Sequence, residues 1–203
     1  MTDELDKAGI ELVGKARVQG TDTDLSSAVA TLTADLPQAI VAWTSAEQAM
    51  LVARYAKESG YSGQLFFDAA AAGELFFDSA AAEPVDGATM VFTPTMVIDD
   101  TIATTPAKAA RKQWFRAYTA RFGGYYGLSS FAADAIQLIV DASMRGDGAD
   151  GTMNREGMRD VLETSQVDGL SGPIRMTPDN HSGLMPQALT MLVATGGRWR
   201  LAG

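Results

Sequence analysis

The order of apolar and polar positions along the chain predicts alternating strands and helices. Residues 2–8 read as the last turns of a helix that ends at Gly9. Ile10–Val18 then alternates apolar and polar positions, the period-2 pattern of a half-buried strand. Asp22 and Asp24 stand where an N-cap would, ahead of a helix running to about Asp35 and broken by Pro37. Ala39–Trp43 is a short apolar run of the kind found in buried parallel strands. Ser45 can cap the next helix, in which Met50, Val52, Ala53, Tyr55 and Ala56 recur at helical spacing until Lys57–Gly60 ends it. Gln64–Phe67 and Gly87–Phe92 are two further strands, the second closed by Pro94. This β-α-β-α-β order predicts a parallel sheet with right-handed crossovers. Ligands collect beyond the carboxyl ends of strands in such sheets. Those ends are Trp43-Thr44-Ser45, Asp68-Ala69 and Phe92-Thr93.

After Pro94 the pattern changes. Residues 95–105 read as an irregular linker, and Pro106–Phe122 as a strong helix with proline in its first turn, stopped by Gly123-Gly124. A second helix is expected over Ser129–Met144, a loop over Gly146–Gly151, and a third helix from an Asn154 cap to about Thr164. A strand at Pro173–Met176, a turn at residues 177–183 and a hairpin from Ala188 to Leu201, tipped by Thr195-Gly196-Gly197, complete the chain. Leu65-Phe66-Phe67-Asp68 recurs as Leu75-Phe76-Phe77-Asp78. Two short copies do not make a solenoid; the first reads as strand and the second as part of a short helix.

Composition narrows the function classes. The 203 residues are 46% hydrophobic and 20% charged, enough apolar material for a core and unlike a disordered chain. The net charge of −9 argues against nucleic-acid binding, which calls for a basic face. The absence of cysteine excludes disulfides, thiolate metal sites and a cysteine nucleophile. No apolar run approaches a membrane span. The first residues, MTDELDKAG, lack the basic stretch and apolar core of a signal peptide.

Most chemistry-bearing residues have a structural reading. His181, the single histidine, sits in one turn with Asp179 and Ser182. A hydrolytic triad needs those groups to converge from different segments, and Gly-x-Ser-x-Gly is absent. Asp99-Asp100 and Asp147–Asp150 lack the closing glutamate of a calcium loop. Gly123-Gly124 and Gly196-Gly197 read as turns, since neither joins a strand to a helix with a phosphate-binding lysine. Trp114, Tyr118, Phe122, Tyr125 and Tyr126 form an aromatic cluster read as helical core with an exposed edge, or as a ligand or partner surface. Trp43-Thr44-Ser45 is the best binding candidate: an indole at a strand end, then two hydroxyls at a helix N-terminus. Asp68 on the neighbouring strand end could accept a hydrogen bond from a ligand ammonium. The alternative is that Ser45 and Asp68 only cap helices and Trp43 is core. Neither a cofactor nor a metal is called for.

These residues lie within a longer pattern. Gly20-Thr21-Asp22-Thr23-Asp24-Leu25-Ser26, a helix, then Pro37-Gln38-Ala39-Ile40-Val41 resembles a stretch of the type I periplasmic binding proteins of ABC transporters, the leucine/isoleucine/valine-binding family. Ala53 to Gly60, Asp86-Gly87-Ala88, Phe115 to Gly123, Phe131 to Ala135, Arg155 to Leu162, Gly169 to Ile174 and Arg198-Trp199-Arg200 match further family segments in order. The order across nearly the whole chain, more than any one motif, carries the resemblance.

The resemblance implies an α/β fold, a parallel sheet with helices on both faces, in which two lobes close on a ligand. Residues 1–92 would be second-lobe α/β, 93–165 crossover and helices returning to the first lobe, and 166–203 the C-terminal strands of the second lobe and hinge. The opening part of the first lobe would be missing, so the chain looks like a truncated form. A homodimer or a partner carrying that lobe would then cover the helices at 106–122 and 129–144. The implied function is non-enzymatic: an extracytoplasmic solute-binding component of an ABC importer, working with a permease, and periplasmic or extracellular in its full-length form. Its ligand would be an amino acid or amide-like molecule held by Trp43, Thr44, Ser45, Asp68, Ala69 and Phe92. A ligand-sensing regulatory domain on the same fold is the alternative. A hydrolase using Asp179, His181 and Ser182 is a third reading.

Overall fold

The computed structural model describes residues 2–75, 77, 79–146 and 154–203. The elements in order are α1 (Thr2–Lys7), α2 (Ser26–Thr33), β1 (Ala39–Ala42), α3 (Ala46–Glu58), β2 (Gln64–Phe67), α4 (Ser79–Val85), β3 (Thr89–Phe92), α5 (Pro106–Phe122), α6 (Ser129–Arg145), α7 (Arg155–Glu163), β4 (Gln166–Asp168), β5 (Pro173–Arg175), β6 (Thr190–Thr195) and β7 (Arg198–Leu201). A five-stranded sheet has the order β1-β2-β3-β6-β7, and β4 and β5 form a separate antiparallel pair. β1, β2 and β3 are parallel, with Ile40 level with Leu65 and Phe67 level with Met90. β6 and β7 are joined by Gly196-Gly197, whose φ angles of 62° and 77° give the left-handed turn that a two-residue hairpin requires.

Two compact units make up the chain. The first comprises residues 1–73, 77–90 and 193–198. Here α3 packs against both α2 and α4. Ile40, Ala42, Leu65 and Phe67 are buried, while Val41 on the opposite face of β1 is exposed. The helices earn their places through small apolar residues: Ala49, Ala53 and Ala56 of α3 are fully buried and allow close approach. The second unit comprises residues 74–76, 91–192 and 199–203. It contains α5, α6 and α7, and its core includes Met96, Phe115, Leu138, Leu192 and Trp199.

Several expected elements differ. Ile10–Val18 forms no strand, because no ladder partner lies alongside it among the described residues. Asp24 does not cap α2 at the N-cap position; its carboxylate accepts from Ser26 N at 2.9 Å, and that bond holds its pKa below the ordinary value. The stretch expected to be an irregular linker begins with a 3-10 segment, Pro94–Asp100, kinked at Val97. Thr95, Met96, Val97 and Ile98 are buried there, so burial orders what local pattern left open. Leu75 and Phe77 are not helical; the other two residues of the second Leu-Phe-Phe-Asp copy, and Asp147–Asp150, lie outside the described residues. The three-residue β4 was too short to register in the sequence pattern.

The turn Gly169-Leu170-Ser171-Gly172 has a specific support. Asp134 of α6, 4% exposed, accepts from Leu170 N at 2.6 Å and from Ser171 N and Oγ at 2.7 and 2.5 Å. A Cβ on Gly169 would come within 2.8 Å of that carboxylate, so the position demands glycine. Arg111 Nε donates to Gly169 O at 2.8 Å, and Thr95 Oγ1 donates to Leu170 O.

In the aromatic cluster, Tyr125 is the buried centre, with ring centroids 4.6 Å from Phe115 and 5.5 Å from Tyr118, while Phe122 and Tyr126 are exposed. Burial pushes the Tyr125 phenol up to about 12. Below about pH 10 tyrosine is neutral folded or unfolded. Above it the unfolded chain ionises first, so stability is expected to fall as pH rises toward 12. Burial also raises Tyr61, so absorbance titration at alkaline pH should show Tyr125 as the last tyrosine to ionise, a step absent in Tyr125→Phe; its titration with the exposed tyrosines would refute the assignment.

Candidate ligand site at the strand ends

β1 delivers Trp43, Thr44 and Ser45 to its carboxyl end, and β2 delivers Asp68 and Ala69 to the adjacent end. All five belong to the first unit. The in-register pairing of Ala42 with Phe67 puts Trp43 and Asp68 one residue beyond the same rung. Trp43 is 73% exposed, which removes the core reading of its indole. Thr44 Oγ1 is buried without a hydrogen-bond partner. Ser45 caps α3: its Oγ accepts from Gln48 N at 3.3 Å. The same hydroxyl helps hold the Glu47 carboxyl below its ordinary pKa, after that residue's own backbone N–H.

Asp68 has two differently employed oxygens. Oδ2 accepts from Ala70 N at 3.1 Å and so caps the 3-10 turn Ala69–Ala71. Oδ1 is buried and has no partner. Ala69 is exposed beside it. Unsatisfied buried polar atoms are costly and uncommon. Thr44 Oγ1 and Asp68 Oδ1 lie on neighbouring strand ends. Ser45 caps α3, Asp68 caps with one oxygen only, and Thr44 caps nothing.

Phe92 requires a correction. It is 1% exposed and its ring lies 5.7 Å from Phe131, within the second unit. It offers a ligand no surface, because strand alternation turns it inward with Met90. Thr93, the other residue of that strand end, has a buried hydroxyl without a hydrogen-bond partner.

Other candidates do not assemble. His181 Nε2 lies 3.2 Å from Glu163 Oε1 on the exposed surface, and Ser182 N donates to Asn180 Oδ1, so Asp179, His181 and Ser182 form no triad. Among the described residues, no group of three or more His, Asp or Glu side chains is placed to hold a metal ion. No helix among them is long and apolar enough to cross a membrane. The second unit has an apolar groove of about 270 Å³ lined by Phe131, Leu138, Ile139, Leu162, Ile174 and Leu184. Its carboxylate, Asp134, is already occupied by Leu170 and Ser171, which leaves little to orient a polar ligand.

Parallel strands joined by helices make an α/β fold, and folds of this kind bind ligands beyond the carboxyl ends of their strands. The sequence profile described as periplasmic binding protein matches residues 1–198, and the chain belongs to that family. Its fold is that of the type I periplasmic binding proteins. It is similar to an extracellular ligand-binding receptor from Rhodopseudomonas palustris HaA2, with 23% identity and a TM-score of 0.86 over 99% of this chain and 57% of that one. It is also similar to a leucine-binding protein from Thermotoga maritima MSB8, at 18% identity and a TM-score of 0.78, covering 100% of this chain and 54% of that one. A solute-binding protein of an ABC transporter from R. palustris, solved in complex with benzoate, gives 16% and 0.77, covering 100% and 52%. The chain thus spans between half and three fifths of the length of these structures. No curated protein matches it in sequence.

Proposed function

We propose that this chain is the solute-binding part of an extracytoplasmic ABC import system. It takes a small ligand with an N–H donor, an amino acid or amide, at Trp43, Thr44, Asp68 and Ala69. A permease is its transport partner, and the division at residues 1–92, 93–165 and 166–203 belongs to the same proposal. The observation that carries it is the pair of unpartnered buried oxygens, Thr44 Oγ1 and Asp68 Oδ1, at adjacent strand ends. A carboxylate accepts only, so it favours an ammonium or amide over a ligand that brings acceptors alone. The exposed indole of Trp43 suits the apolar part of such a ligand.

Binding by this span is expected to be weak and readable by fluorescence. Trp43 is the exposed one of three tryptophans, Trp114 being half-buried and Trp199 fully buried. Leucine or acetamide at millimolar concentration should shift the Trp43 emission to the blue and raise the melting temperature. Benzoate should do neither. A response to benzoate alone would overturn the donor-ligand reading. The Ser45→Ala variant should lose about 1 kcal/mol of stability through the α3 cap and bind as the parent does; matched melts and titrations check both.

A further inference from the structure

Ser45-Ala46-Glu47-Gln48 has the spacing of a capping box, a helix-start motif whose fourth side chain turns back to the N-cap backbone N–H. Only half of that motif forms. Ser45 Oγ accepts from Gln48 N, but the Gln48 side chain reaches elsewhere. Its Nε2 donates to Gln19 O at 2.7 Å and to Asp22 O at 3.2 Å, partners 29 and 26 positions away in the chain. Gln48 is 5% exposed. A primary amide buried to that extent is costly unless its N–H groups find acceptors, and here both do. An apolar side chain of the same size would fill the space without that requirement. What sets glutamine apart at this position is therefore what it holds.

It holds a closed turn. Asp22 N donates to Gln19 O at 3.0 Å, and Gln19 N donates to Asp22 Oδ2 at 2.7 Å. Residues 19–22 belong to no helix or strand; Gln19, Gly20 and Thr21 are exposed and Asp22 is half-buried. Gln48 lies in the first turn of α3, directly after Trp43, Thr44 and Ser45. The tether therefore sets turn 19–22 at the carboxyl end of the sheet, the end that carries Trp43, Thr44 and Asp68. All of these residues belong to the first unit.

We propose that Gln48 is a positioning residue of the ligand site, an inference that rests on the strand ends being that site. Without touching the ligand, Gln48 fixes turn 19–22 as a third wall beside the two strand ends. The wall is then in place before the ligand arrives, and binding does not have to order it.

Gln48→Met keeps the length of the side chain and removes both donors. Amide exchange at Gln19 and Asp22 should quicken at least about 10-fold, with the α3 amides from Met50 onward unchanged. Affinity for leucine or acetamide, whichever the parent binds more tightly, should fall by about 5- to 10-fold, the worth of one neutral hydrogen bond. Gln48→Glu supplies a readout that lost packing would not move. Ionised, its carboxyl only accepts and faces two carbonyl oxygens; protonated, it donates to one of them. Burial, the Asp22 carboxylate and Glu47 beside it in α3 all favour the protonated form. Binding by Gln48→Glu should thus be weak at about pH 8 and recover toward the parent's at about pH 5, while Gln48→Met stays weak at both. If the parent responds and Gln48→Met binds equally well, turn 19–22 is no part of the site and the proposal is overturned. Turn amides that exchange alike in both proteins overturn it too, since Gln48 would then hold nothing. A parent silent to both probes overturns the strand-end reading itself, and this proposal with it.

Discussion

Replacing Asp134 with alanine is expected to cost about 3–5 kcal/mol of stability. The carboxylate is buried and accepts three hydrogen bonds, two from the backbone N–H groups of Leu170 and Ser171 and one from the Ser171 hydroxyl. Ser171 is itself fully buried, so water cannot replace the lost acceptor. Each orphaned donor costs about 1–3 kcal/mol, and relief of the buried charge offsets part of the sum. For a chain of this size the melting temperature should fall by roughly 6–20 °C. Asp134→Asn keeps one acceptor and should lose less. Urea denaturation of the three proteins side by side is the check. A loss under about 1 kcal/mol in Asp134→Ala would mean that Arg111 and Thr95 hold the 169–171 turn without it.

The second large effect concerns binding. Asp68→Ala should weaken the best donor ligand of the panel by about 10- to 100-fold, the worth of a charge-assisted hydrogen bond. It also removes the cap on Ala70 N, at a stability cost near 1 kcal/mol. The two effects separate, because melts without ligand report the cap and titrations report the site. Unchanged affinity in a folded Asp68→Ala protein would remove this residue from the site and with it the argument for an ammonium or amide ligand.

Legibility in the sequence followed the range of the interaction responsible. Pro106, the Thr105 cap that accepts from Lys108 N, and left-handed Gly123 are local signals, and α5 begins and ends where they stand. Asn154 likewise caps α7 through Glu156 N. The strand ends that carry Trp43 and Asp68 were readable because short apolar runs between helices admit few arrangements. Ile10–Val18 shows the converse: alternation describes a strand's faces, while forming one requires a partner edge in space. Phe92 was placed at the right end of the right strand, yet its direction followed from packing against Phe131.

The alternation of β1, α3, β2 and β3, their parallel topology and the family were thus properties of sequence alone, since periodicity, caps and breakers act within a few residues of one another. Three matters waited for tertiary structure. Asp134 became a clamp because residues 35 to 37 positions away fold back onto it. The 3-10 segment at residues 94–100 took its order from burial. The roles of Thr44, Ser45 and Asp68 separated only through which oxygen found a donor and which was left buried without one. Hydrogen-bond satisfaction depends on every neighbour in space, and a linear pattern specifies only those nearby in the chain.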